Sequence, residues 1–163
     1  MDVLFLPREG VALYRELLAS ETSRDALRFY RPKETSSGVE ISAASLGSAL
    51  TLVADLRWYV KRYMRGVLFE IASGVYCSHR LAREIYFDRV ITLSKSWEFR
   101  FIYRMKDGTV VSEKQILPGA ECWVADTSEH PEIEVWCTED EYYGGSTIPV
   151  DEGPEGEEGT EEP

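Results

Sequence analysis

No lysine or arginine occurs in the last 49 positions of this 163-residue chain, although eighteen occur before them. Cysteine is scarce too: Cys77, Cys122 and Cys137 are an odd number without CxxC spacing, which suits a reducing compartment. Only two histidines are present, His79 and His130, and with three cysteines they give no zinc pattern of paired ligands. A phosphate-cradling loop is also missing, since residues 43–48 hold one glycine and no P-loop lysine. No apolar run approaches the ~20 residues that cross a bilayer. The opening apolar run ends at Pro7 and follows Asp2, an acid where a secretory signal carries positive charge. These gaps point away from metal, cofactor and catalytic chemistry, and to a cytoplasmic or nuclear protein with no membrane contact.

What is present is a division of charge. Residues 1–114 hold fourteen acids and all the bases, a net +4, whereas 115–163 hold fifteen acids, a net −15. This predicts a basic surface and an acidic tail on one molecule. An apolar content of 44% with four Trp among the aromatics is enough for one core. The expected organisation is a single α+β domain over 1–145 and a disordered acidic tail over 146–163. From Asp151 onward only Asp, Glu, Gly, Pro and Thr occur, and nothing there can be buried.

Apolar spacing predicts a helix over 9–20 and a shorter helix or turn over 23–29, with a polar loop over 33–38. Residues 45–65 read as one long amphipathic helix, with Ser45 as N-cap and Gly66 as the residue that ends it. Beyond it the period falls to two. Strands are expected over 67–73, 85–93, 97–105, 109–116, 121–125 and 133–138, with a helical turn over 78–83. Asp107-Gly108 marks a two-residue hairpin turn that pairs Met105 with Val110, Phe101 with Lys114 and Phe99 with Ile116. A second hairpin aligns Cys122 with Cys137 and Trp123 with Trp136. The architecture expected is N-terminal helices and the long helix packed on an antiparallel meander of about five strands.

Three constellations carry candidate binding chemistry. Arg57, Lys61 and Arg65 form a stripe at four-residue spacing on the long helix, with Trp58 and Arg62 beside it. Arg57 lands inside the edge of the apolar arc and must either snorkel out or find a buried partner. Cations interleaved with an aromatic suit phosphate and bases; the bland alternative is a solvated helix face with Trp58 folded inward. Val135-Trp136-Cys137-Thr138-Glu139 with its acidic flank resembles the LxCxE motif by which several viral proteins dock the retinoblastoma pocket. Cys137 and Glu139 match that motif, Val135 replaces its leucine, and the competing reading is a strand with Val135 and Cys137 in the core. Tyr142 and Tyr143 behind three acids resemble a tyrosine-kinase acceptor context, against a loop that happens to carry tyrosine. Cys77-Ser78-His79 is too local in sequence for a working thiol and imidazole dyad.

The reading that follows is a non-enzymatic binding protein that occupies a macromolecular protein partner, with its acidic C-terminal segment exposed for contact. A viral, phage or host-regulatory accessory protein fits that description by analogy. The alternative is a nucleic-acid binder that uses the basic helix face and is tuned by the tail. Exposure of Trp58 separates the two: a free ring inside a basic patch favours nucleic acid, and a buried ring favours protein.

Overall fold

A computed structural model describes residues 1–88, 97–117, 119–120 and 130–147. The expected strand over 121–125, the Cys122–Cys137 and Trp123–Trp136 pairings and the acidic tail from 148 onward lie outside the described residues. Within them the chain is mixed α+β, with eight strands and six α-helices. The strands are β1 (Asp2–Pro7), β2 (Lys33–Thr35), β3 (Gly38–Ser42), β4 (Met64–Ala72), β5 (Val75–Ser78), β6 (Arg100–Lys106), β7 (Thr109–Ile116) and β8 (Glu132–Trp136). The helices are α1 (Leu13–Ala19), α2 (Glu21–Ala26), α3 (Leu46–Asp55), α4 (Arg57–Tyr63), α5 (His79–Arg83) and α6 (Glu139–Gly144).

All eight strands join one open sheet in the order β2-β3-β1-β4-β5-β8-β6-β7. This replaces the expected five-stranded meander. Every pairing is antiparallel except β5 with β8, which run parallel. The first strand is the reason the meander reading fell short. Val3, Leu4, Phe5 and Leu6 are all at most 1% exposed, because β1 lies between β3 and β4 and is covered on both faces. A strand buried on both sides shows a continuous apolar run instead of alternation. Val3 and Phe5 join the core under the helices, with Ile41, Phe69, Leu17, Leu56 and Tyr59. Leu4 and Leu6 join a second core on the opposite face, with Leu68, Phe101, Tyr103, Met105 and Val135.

The sheet curls around that second core until β7 comes against β1. Arg65 of β4 donates to the Val110 carbonyl of β7 at 2.7 Å. At the hairpin tip a Cβ on Gly108 would lie 3.8 Å from the Thr35 carbonyl oxygen and 3.9 Å from the Gly38 nitrogen. The tip is the expected turn, with φ of 52° at Asp107 and 78° at Gly108. Met105 pairs with Val110 as expected, but a bulge at the exposed Val111 then moves the ladder by one residue. Phe101 therefore faces Gln115, and Ile116 faces Arg100.

The long helix over 45–65 is two helices and the start of a strand. Ser45 is the N-cap, accepting from the Ser48 N–H at 3.1 Å. Leu56 leaves helical geometry at φ −98°, ψ 13° and separates α3 from α4. The apolar rhythm passes through this break because Val53, Leu56 and Tyr59 all enter one core. At Met64 ψ becomes 139° and β4 begins, so Gly66 is a strand residue opposite Leu6 and not a helix terminator.

Two other expectations change. Residues 33–38, expected as a loop, lie in the β2–β3 hairpin. Residues 84–88 form a π-helical turn, not the start of a strand, and leave Phe87 63% exposed. The helical turn after Ser78 is α5, and Ser78 caps it by accepting from the Leu81 N–H at 3.1 Å. No helix among the described residues is long and apolar enough to cross a membrane.

Candidate binding surface

The break at Leu56 sets the geometry of α4. With Tyr59 turned inward, 2% exposed and sharing a 2.6 Å hydrogen bond with Ser20, the opposite side of this two-turn helix faces outward. Arg57, Lys61 and Arg62 are all exposed there. Trp58 is half-buried against the helix-side core, edge-on to Tyr59 at 5.0 Å and to Tyr63 at 5.9 Å. The Arg62 guanidinium sits 5.2 Å from the Trp58 ring centroid, as four-residue spacing on a helix allows. Arg57, Lys61 and Arg62 pair with no acidic side chain among the described residues.

Arg65 does not belong to this face. The chain has already entered β4, and its side chain crosses to β7, where it meets the Val110 carbonyl and lies 3.5 Å from a Glu113 carboxylate oxygen. A cation that the sequence did not single out takes its place. Arg8, just past β1, donates to the Lys61 carbonyl at 2.8 Å and holds a further exposed guanidinium at the C-terminal end of α4. A positive group there also complements the helix dipole. Its only sequence signal was the position after Pro7, which has meaning once β1 is known to run beside β4.

The LxCxE-like residues fall in two environments. Val135 and Cys137 are 0% exposed in and just after β8, and the Cys137 thiol donates to the Phe99 carbonyl at 3.3 Å. Glu139 is exposed as the first residue of α6. The segment after Thr138 is a capped helix and not a loop. Thr138 accepts from the Glu141 N–H at 3.1 Å, while Glu141 accepts from the Thr138 N–H at 3.0 Å. Of the two tyrosines, Tyr142 is buried, donating to the Ile116 carbonyl at 2.9 Å, and Tyr143 is 71% exposed.

Glu141 also accepts from Ser78 at 2.6 Å, so one buried carboxylate ties the cap of α6 to the cap of α5. Burial raises its pKa above the ordinary carboxylate range, against the hydrogen bonds from Ser78 and Thr138. Sequence reading missed this junction, although the Thr138-x-x-Glu141 spacing announces the cap. Around it, burial pushes the Cys77 thiol up to about 12 and the Cys137 thiol higher still. Burial, helped by Arg83, lowers His79 to about 4, with its ring 5.7 Å from that of Phe69. Cys77-Ser78-His79 thus divides into a core thiol, a helix cap and a packed imidazole.

An open groove of about 800 Å³ lies between the start of α1, the β2–β3 hairpin and the tip of the β6–β7 hairpin. Glu34, Ser36, Lys106, Asp107 and His130 contribute its polar side. Among the described residues no group of three or more His, Cys, Asp or Glu is placed to hold a metal ion. The α4 face is therefore the best-defined candidate surface.

No curated protein and no solved structure matches the chain. A family described as a family of unknown function, DUF5804, matches residues 1–116. That stretch covers more than two thirds of the chain and holds β1 to β7 with the α4 face, so the chain belongs to this family of unknown function, DUF5804.

Proposed function

We propose that this chain is a non-enzymatic binding protein that occupies a macromolecular protein partner, and that the α4 face receives an acidic surface of that partner. The observation that carries the reading is a row of three exposed cations, Arg57, Lys61 and Arg62, with no acidic partner among the described residues and a half-buried Trp58 beneath Arg62. Unpaired cations of one sign attract an anionic surface. Trp58 favours protein over nucleic acid, because its ring is engaged with Tyr59, Tyr63 and Arg62 and is not free to stack on a base.

The test is binding of the full chain and of Arg57→Glu/Lys61→Glu/Arg62→Glu to a polyglutamate peptide and to single- and double-stranded oligonucleotides at low salt. The expected result is retention of the peptide by the full chain and its loss in the variant. Oligonucleotide retardation whose log–log salt slope falls by roughly 0.7 to 0.9 per removed cation would support nucleic acid instead. Binding of neither probe would leave the face a solvated helix surface.

A further inference from the structure

We propose that residues 151–163 dock on the α4 face of their own chain and occlude it until an acidic partner displaces them. The proposal rests on the reading of that face given above and adds its regulation. The place where the described chain stops carries the argument. Ser146 donates to Glu113 at 3.0 Å, and Thr147 donates to the same carboxylate through its hydroxyl at 3.3 Å. Glu113 in turn lies 3.5 Å from Arg65, two residues beyond the last residue of α4. The C-terminal segment therefore departs from the rim of the sheet at which α4 ends.

Reach and charge agree with that origin. The Arg62 and Arg65 Cα atoms are at most about 11 Å apart, three peptide units. Sixteen residues follow Thr147, and a chain of that length reaches up to about 55 Å when extended. Seven of the sixteen are acids and none is a base. Arg57, Lys61, Arg62 and Arg8 oppose them, and Asp55 is the one acid in 45–65. Several other cations suit this occupant less. Arg28, Arg65, Arg80, Arg100 and Arg104 already have acidic partners. Arg15, Arg24 and Arg31 lie in a stretch of mixed sign with Glu16, Glu21, Asp25 and Glu34. Single surface ion pairs are weak. A short tether, however, holds the segment at an effective concentration in the millimolar range, which populates a docked state that salt or a competitor reverses.

A nitroxide on Thr160→Cys, in the full chain carrying Cys122→Ser, tests this by paramagnetic broadening of backbone amides. Cys77 and Cys137 are buried and stay unlabelled. At about 50 mM salt, where screening reaches beyond ~10 Å, the amides of 57–62 should lose most of their intensity, and at about 0.5 M they should recover it. Changing Glu155, Glu157, Glu158, Glu161 and Glu162 to Gln should abolish the broadening without touching the folded domain. That tail variant should also bind polyglutamate roughly three- to ten-fold tighter than the parent. Undisturbed α4 amides at low salt, or broadening centred elsewhere, would overturn the docking. If polyglutamate then binds parent and tail variant equally, the face still binds acids and only its regulation is lost. If α4 is broadened but polyglutamate fails to bind the tail variant, docking stands and the partner reading falls.

Discussion

At the residue scale the molecule places its few reactive groups where they do structural work. His79 and Glu141 flank Ser78 and both titrate abnormally, with opposite consequences. The folded state favours neutral His79, whose pKa falls from 6.5 to about 4. Its contribution to stability is present above pH ~6.5 and is lost as pH falls toward ~4, when the folded protein must also bind the proton. Glu141 has a raised pKa, so its contribution is complete below its unfolded value and declines as pH rises through its folded one. We expect His79→Gln to flatten the loss of stability between pH 7 and pH 4, an effect of at most about 3 kcal/mol. Glu141→Gln should steepen the same loss by removing the opposing term. Urea denaturation of both variants and the parent across that window checks the signs, and parallel pH profiles would refute the assignment. In a separate comparison at fixed pH, Glu141→Ala should cost about 1–3 kcal/mol, because Ser78 and the Thr138 N–H lose their common acceptor.

At the element scale Gly38 supplies the sharpest expectation. Its φ is +140°, and a Cβ there would lie 2.4 Å from the Phe5 carbonyl oxygen, a backbone atom of the central strand. Gly38→Ala should cost about 2–4 kcal/mol. Gly74→Ala, at φ +76° with open space around it, should cost about 1 kcal/mol. Thermal melts of the two variants test the difference, and equal losses would show that the β3–β1 approach can relax. The same elements show what was legible beforehand. The Asp107-Gly108 turn, the Ser45 cap, the helical turn over 78–83 and the alternation of Phe101, Tyr103 and Met105 are local signals, and local sequence carries them. The dual burial of β1, the break at Leu56 and the Val111 bulge are settled by partners distant in sequence. Apolar periodicity gives the same pattern for one helix and for two helices that share a core. Lys61 and Arg62 are therefore legible as exposed cations, whereas Arg57 is placed at the apolar edge, Arg65 is misplaced among them and Arg8 is overlooked.

At the scale of the whole molecule, Arg65 decides whether the basic residues act as one stripe or as two structures with different work. Four-residue spacing on one helix would make it a solvated binding cation equivalent to Lys61. In the curled sheet it is a clasp. Its guanidinium joins β4 to the Val110 carbonyl of β7 at 2.7 Å and approaches Glu113, which also accepts from Ser146 and Thr147. The Arg65 side chain is 30% exposed and that of Glu113 10%, so screening of the pair is only partial. Truncation also takes one donor from the Val110 carbonyl and the cation from the Glu113 carboxylate. Arg65→Met should therefore cost about 1–3 kcal/mol in urea denaturation. Lys61→Met, on the exposed face, should stay within about 0.5 kcal/mol of the parent. Combining Arg65→Met with Glu113→Gln should cost less than the sum of the single changes, because each removes the same contact. Polyglutamate binding should follow the opposite order, with Lys61→Met weakening it and Arg65→Met leaving it nearly unchanged. If instead both substitutions leave stability alone and weaken binding equally, Arg65 shares the α4 surface and the sheet closes without it.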